Sequence, residues 1–417
     1  MRKYISQRPI VIVANSSFYI YHYRKLLIKY LSKKNHIITI APTDSSTSKL
    51  CKISVHLPWR IQRNRDLNPV ALIISFIRLV FLIRAIKPKL IHSHTLKSNL
   101  IVSIISSIYC IPSVLSFTGL GRLSKSKNKY FLFKYTIKSI IYFSLRQRNK
   151  LFTLDKNISR SRFIFQNPED KKVIESIDNS ISNISKIVYG SGLPKHYLDK
   201  KLIPNNNWNK HNSNEIIPKV QFIFCARLLI SKGINTFIKL ADFFPEHEFI
   251  IYGQRDFSSK ESISQESLNS LTEKNNIFLK GYKKYPLMNK KNSYPVLIVP
   301  SFYGEGFPRA ILEAFSLEIP VISSKTATCN LFKNENLYIS EDTSIISYKK
   351  NIESLFKDYK NGNLSKKISA SKELALFYTE EKIVKRTVSI YKELLKENTI
   401  PEILKKDIDN LSLNLPK

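Results

Sequence analysis

A chain of 417 residues exceeds what one hydrophobic core usually organises, so two domains of roughly 200 residues each follow from length alone. The 43% hydrophobic and 11% aromatic content excludes a disordered chain. With 67 Lys and Arg against 32 Asp and Glu, the formal charge of +35 calls for an anionic partner, of which nucleic acid and acidic lipid are the obvious candidates.

From the N-terminus, the run MRKYISQRPIVIVANSS is interrupted too early to be a signal-peptide core. Short β-branched runs then alternate with helical patterns, the signature of an α/β chain built from βαβ units. In the first half, strands are predicted over residues 10–14, 37–41, 90–93, 113–117, 162–165 and 186–189, with helices such as 21–31 and 97–109 between them. The most apolar segment, residues 70–86, carries Arg78 and Arg84, so it does not read as a membrane span, and the protein is expected to touch a membrane without crossing it. After the Asn- and Lys-rich residues 199–214 the pattern restarts, with strands predicted over 220–225, 249–252, 277–280, 296–299 and 321–323. The expected organisation is a Rossmann-like domain over 1–198, a polar linker over 199–214 and a second Rossmann-like domain over 215–379. A helix over 380–397, able to pack back on the first domain, and a polar tail over 398–417 complete it. Two such doubly wound units place their ligand sites at the carboxyl ends of strands. The cysteines, Cys51, Cys110, Cys225 and Cys329, lack the C-x-x-C spacing of zinc or dithiol sites and fit a reducing, cytoplasmic compartment.

The sharpest chemistry lies in the second half. Residues 296–313, VLIVPSFYGEGFPRAILE, read as a buried strand, a loop with Gly304 and Gly306, and an amphipathic helix carrying Glu305 and Glu313. Glycines let backbone approach a ligand closely, and the helix N-terminus offers free N–H groups to an anion. Upstream, Arg227 and Lys232-Gly233 flank a strand-to-helix turn, where two cations suit a diphosphate.

Together Glu305-Gly306-Phe307-Pro308-Arg309 with Glu313-Ala314, and Arg227-x4-Lys232-Gly233, resemble the E-x7-E and R-x4-K-G elements of the retaining glycosyltransferases of family 4, group 1. The resemblance spans residues 10–323 and implies a GT-B fold, two facing Rossmann-like domains with an inter-domain cleft. It implies a metal-independent hexosyltransferase without a cofactor, in which Arg227 and Lys232 neutralise the leaving diphosphate. Glu305 then approaches the donor sugar and Glu313 the ribose, while Gly306, Phe307, Pro308, Gly253 and Tyr282 line the donor site. The one Asp-x-Asp, Asp407 to Asp409, lies in the tail.

In the first half, Asn15 stands in a polar turn, as a helix cap or as a ligand contact. IHSHTLKSN brings His92, His94 and Lys97 to a strand end, with His94 and Lys97 as acceptor-side candidates and His92 structural by alternation with Ile91. SFTGLGRL, with Gly119 and Gly121, and FQNPED at 165–170 resemble segments of bacterial envelope polysaccharide and lipid-linked oligosaccharide transferases. Thr118 stands where many relatives carry histidine, and SSKTATCNLF replaces a usual glycine. Aromatic and basic residues interleave over 125–150, as in helices that lie in a lipid interface, although a core helix with a basic face fits the same pattern. The implied function is transfer from a nucleotide sugar, a UDP-hexose or UDP-HexNAc, to a polyprenyl-diphosphate-linked saccharide in O-antigen or capsule synthesis. The implied place is the inner face of the cytoplasmic membrane, as a peripheral protein. The alternatives are a GT-B sugar-nucleotide epimerase, a scaffold-type member without turnover, and a basic nucleic-acid-binding protein. The last lacks any recognisable reading module.

Overall fold

Runs of β-branched residues form strands buried on both faces, as parallel sheets between helix layers require. The computed structural model describes residues 8–61, 69–120, 128, 130–146, 159–199, 207–209, 217–257, 259, 261–284, 286–287, 293–302 and 304–395. The chain divides into two units, Met1–Ser191 with Glu381–Lys417, and Gly192–Glu380. The division falls at Ser191, where the sequence boundary was set at residue 198.

In the first unit, β1 (Ile10–Val13), β2 (Ile37–Ala41), β3 (Val55–Pro58), β4 (Leu90–His94), β5 (Ser113–Phe117), β6 (Ser161–Phe165) and β7 (Ser185–Ile187) form one sheet. Its order is β3-β2-β1-β4-β5-β6-β7, and every pairing is parallel. The steps β3 to β4, β4 to β5 and β5 to β6 all run the same way across this sheet. Right-handed crossovers therefore lay the helices Pro69–Ile86, Leu96–Tyr109 and Tyr130–Arg146 on one face. Their apolar stripes, including Leu79, Ile83, Ile101, Ile105, Phe133, Ile137 and Ile141, close a core with Val11, Ile91, Leu115 and Phe117.

In the second unit, β8 (Val220–Cys225), β9 (Glu248–Tyr252), β10 (Ile277–Leu279), β11 (Tyr294–Val299), β12 (Val321–Ser324) and β13 (Tyr338–Ser340) give the order β10-β9-β8-β11-β12-β13. The chain steps outward from β8 to β10, then crosses back to β11, so the topological switch lies between β8 and β11. Strands β3 and β13 were not anticipated. Both are short edge strands, and β3 ends on a proline and is half exposed, so neither carries a strong apolar signal.

The polar segment 199–214 hides an anchor. Among its described residues, Trp208 is buried in the second core, donates from Nε1 to the Pro295 carbonyl at 2.7 Å, and meets Tyr294 and Tyr359 edge-on. The tail beyond Leu395 lies outside the described residues.

Candidate active site

Three loops meet at the carboxyl ends of β8, β11 and β12. The Ser231 carbonyl, in the turn after β8, accepts from the Phe302 N–H at 3.0 Å and from Ser301 Oγ at 3.3 Å in the loop after β11. Ser324, ending β12, donates to the Ser301 carbonyl at 2.7 Å, and Cys329 Sγ donates to the Glu305 carbonyl at 2.6 Å. Glycine is required where the first two loops touch: Gly233 has φ +78°, and a Cβ there would stand 1.9 Å from the Pro300 oxygen.

This stitching brings Lys232 Nζ onto Glu305 Oε1 as an ion pair, with the lysine nearly enclosed. Glu305 is not on a helix, as the sequence reading had it. The helix runs Arg309–Ser316, and Pro308 occupies its N-cap, so the first carboxylate stands in the loop and only Glu313 on the helix. Glu313 accepts from Arg309 Nε at 2.8 Å, an i,i+4 pair. Burial pushes the Glu313 carboxyl above its ordinary value, while the Arg309 guanidinium and the Tyr197 hydroxyl pull the other way. Tyr197 had been assigned to the first domain, yet it belongs to the second unit.

Arg227 is more than half exposed and pairs with Asp256 at 2.6 Å, a partner that no motif marked. Gly253 sits under the same turn: its N–H donates to the Gly281 carbonyl at 2.9 Å, and a Cβ would fall 2.0 Å from the Ala226 oxygen. Tyr282 is exposed beyond Gly281. The Phe307 ring lies 5.3 Å from Tyr378, Pro308 is buried, and Gly306 is part-exposed between the two glutamates. Thus Lys232 and Glu305 are joined, Glu313 is held by Arg309, and Arg227 by Asp256. Among the described residues no group of three His, Cys, Asp or Glu side chains could hold a metal ion.

The first unit gathers its singled-out residues around β1, β4 and β5. Asn15 is part-exposed in the turn after β1 and is not the helix cap. Ser16 takes that role, accepting from the Tyr19 N–H at 3.3 Å, while Asp44 accepts from the Phe18 N–H at 2.8 Å. All five residues of β4 are buried, so alternation does not separate the two histidines. His92 has Tyr391 Oη 2.5 Å from Nδ1 and Ser116 Oγ 2.7 Å from Nε2. His94 is also fully buried, its ring 4.1 Å from that of His92 and its Nδ1 3.5 Å from Tyr19 Oη. Burial, reinforced by Arg24, holds both imidazoles well below the usual histidine range, so both are neutral at physiological pH.

Lys97 lies on the first turn of the helix after β4, behind Thr95, whose φ of +77° is strained for a β-branched residue. Gly119 follows β5 with φ +102°, and Gly121 lies outside the described residues. Asn167 of FQNPED is a cap: its Oδ1 accepts from the Asp170 N–H at 2.7 Å, with Pro168 opening the helix Pro168–Ile177.

Residues 206–373 match the family model described as Glycosyl transferases group 1, and residues 10–153 match Glycosyl transferase 4-like. An uncharacterized glycosyltransferase of Methanocaldococcus jannaschii is 34% identical over 171 residues, which is 40% of this chain and 40% of the relative's own length. The capsular polysaccharide biosynthesis glycosyltransferase CapM of Staphylococcus aureus is 24% identical over 79% of this chain and 83% of its own. Anabaena HepE, solved with UDP and glucose, has a TM-score of 0.69 at 15% identity, covering 93% of this chain and 100% of that one. The two parallel sheets and the structural likeness give the chain the GT-B fold. The two family matches fall one on each unit, so the likeness to group 1 and 4-like glycosyltransferases extends over both.

Proposed function

We propose that this enzyme transfers a hexose or N-acetylhexosamine from a uridine diphosphate sugar to a polyprenyl-diphosphate-linked saccharide in envelope polysaccharide synthesis, with retention and without a metal. The observation that carries this reading is the Lys232–Glu305 pair at the switch point between β8 and β11. A cation there answers a diphosphate, and a carboxylate beside it answers sugar hydroxyls. The UDP bound to HepE and the capsular role in CapM's name support the donor and the setting. As the bond from the anomeric carbon to the diphosphate oxygen breaks, Lys232 and Arg227 meet the charge that grows on the leaving group. Each well-placed donor is worth about 3 kcal/mol in such a transition state. Glu313 accepts from the ribose hydroxyls, and Gly306, Phe307, Pro308, Gly253 and Tyr282 enclose the nucleotide and sugar. Asn15, Lys97 and Gly119 serve the acceptor, with His94 behind them as a neutral buried support.

The test is incubation of the purified protein with membranes carrying polyprenyl-diphosphate saccharides and a panel of nucleotide sugars, resolving lipid products by mass. Arg227→Ala and Lys232→Ala should each lower transfer by at least a hundredfold with an unchanged melting curve. Undiminished turnover in either would overturn the assignment, and loss of activity on chelation would overturn metal independence. An epimer released from donor alone would select the epimerase reading.

A further inference from the structure

Two helices on one face of the first sheet expose the kind of surface a soluble monomer usually hides. On Pro69–Ile86, the stripe that faces away from Leu79 and Ile83 carries Ile73, Ile74, Ile77 and Phe81, with Phe81 68% exposed and Arg78 and Arg84 between and beyond them. On Tyr130–Arg146, the outward stripe reads Phe131, Lys134, Tyr135, Lys138, Tyr142 and Arg146, aromatic and cation in turn, with Phe131 77% and Tyr135 65% exposed. The inward stripe of that helix, Phe133, Ile137, Ile140 and Ile141, is wholly buried, so the outer aromatics are surplus to the core.

Charge is one-sided as well. Between Asp66 and Asp155 the sequence holds no Asp or Glu and fourteen Lys or Arg, and both helices fall inside that interval. The neighbouring helix Pro168–Ile177, packed against Tyr130–Arg146, mixes Glu169, Asp170 and Glu175 with Lys171 and Lys172, so the one-sided charge belongs to the two helices themselves. A protein partner ordinarily presents charges of both signs, whereas helices with apolar teeth, cations among them and no carboxylate complement an anionic bilayer surface. Neither helix can cross a bilayer: among the described residues no helix is long and apolar enough.

We propose that these two helices form a membrane-docking face, which lays Ile73, Ile77, Phe81, Phe131 and Tyr135 into the headgroup and acyl boundary while Arg78, Lys134, Lys138 and Arg146 meet lipid phosphates. This deepens the function proposed above, resting on it for the lipid-borne acceptor and naming the surface by which the enzyme reaches that acceptor. Flotation of the full chain with vesicles separates the two. Binding to vesicles of phosphatidylglycerol and phosphatidylethanolamine should exceed binding to pure phosphatidylcholine at least tenfold, and should fall in about 0.5 M salt. Phe81→Glu with Phe131→Glu should abolish flotation, and Lys134→Ser with Lys138→Ser should weaken it severalfold. Binding of a UDP-sugar by calorimetry, a readout confined to the donor site, should stay unchanged in both, and so should the melting temperature. Unaltered flotation in the glutamate variant overturns the docking face, and so does a dimer in sedimentation velocity that this variant dissociates without loss of flotation. Failure of the wild type to bind any nucleotide sugar would overturn the proposed function and leave the flotation result standing.

Discussion

Glu313 and Lys232 hold opposite positions with respect to charge. Lys232 already has a carboxylate partner in Glu305, so in the proposed donor site an incoming diphosphate would share or replace that partner. Glu313 is held up by burial, and a group whose folded-state value is raised binds its proton more tightly in the folded chain. Stability that it contributes is therefore fully present below the ordinary carboxylate value and is lost as pH rises through the raised one. In the role proposed for it, Glu313 accepts from ribose hydroxyls best when ionised, so that function runs the other way. Donor affinity measured by calorimetry should increase with pH across that window in the wild type, and the inflection should vanish in Glu313→Gln; an unchanged profile would remove Glu313 from the nucleotide site. Two motifs and the resemblance they carry marked Glu305, Glu313, Arg227 and Lys232 in the sequence, three in loops or turns and Glu313 on a helix. Asp256, Tyr197 and Cys329 were invisible there, since each reaches its partner from a different loop.

At the scale of elements, the proposed donor site depends on how closely the turn after β8 approaches the loop after β11. Gly233→Ala would place a methyl group 1.9 Å from the Pro300 oxygen on a backbone at φ +78°. That combination of strain and overlap should destabilise the second unit by more than about 2 kcal/mol. Denaturant unfolding followed by Trp208 fluorescence, which reports on that core, measures it; a loss within about 0.5 kcal/mol would mean that the two loops are not in contact. The helix beginning at Arg309 illustrates a boundary that pattern reading misplaces. The apolar period starts early, yet Pro308 has no N–H and the preceding glycines favour open loop, so Glu305 is left outside.

At the scale of the whole molecule, the chain leaves the first unit at Ser191 and returns to it after Glu380. The returning helix, Glu380–Leu395, gives Tyr391 to His92 and Glu393 to Arg162, so the first unit is completed by the last described residues. Tyr391→Phe would leave a buried imidazole nitrogen without this partner, at a cost of about 1–3 kcal/mol. Hydrogen exchange should then quicken in β1 and β4 and remain unchanged in β8 and β11. Uniform acceleration in both sheets, or none in either, would contradict that account.

The βαβ alternation, nearly all strands of both sheets and the four charged motif residues were determined by local sequence, because strand periodicity, turn glycines and loop spacing are short-range properties. Tertiary structure alone decided the rest: that Trp208 in a polar stretch anchors a core, that both histidines of β4 are buried, and that Arg227 turns to Asp256 while Lys232 meets Glu305. In a parallel sheet covered on both faces, alternation no longer distinguishes inside from outside. The partner of a charged side chain is then chosen by loops distant in sequence, which only the folded chain brings together.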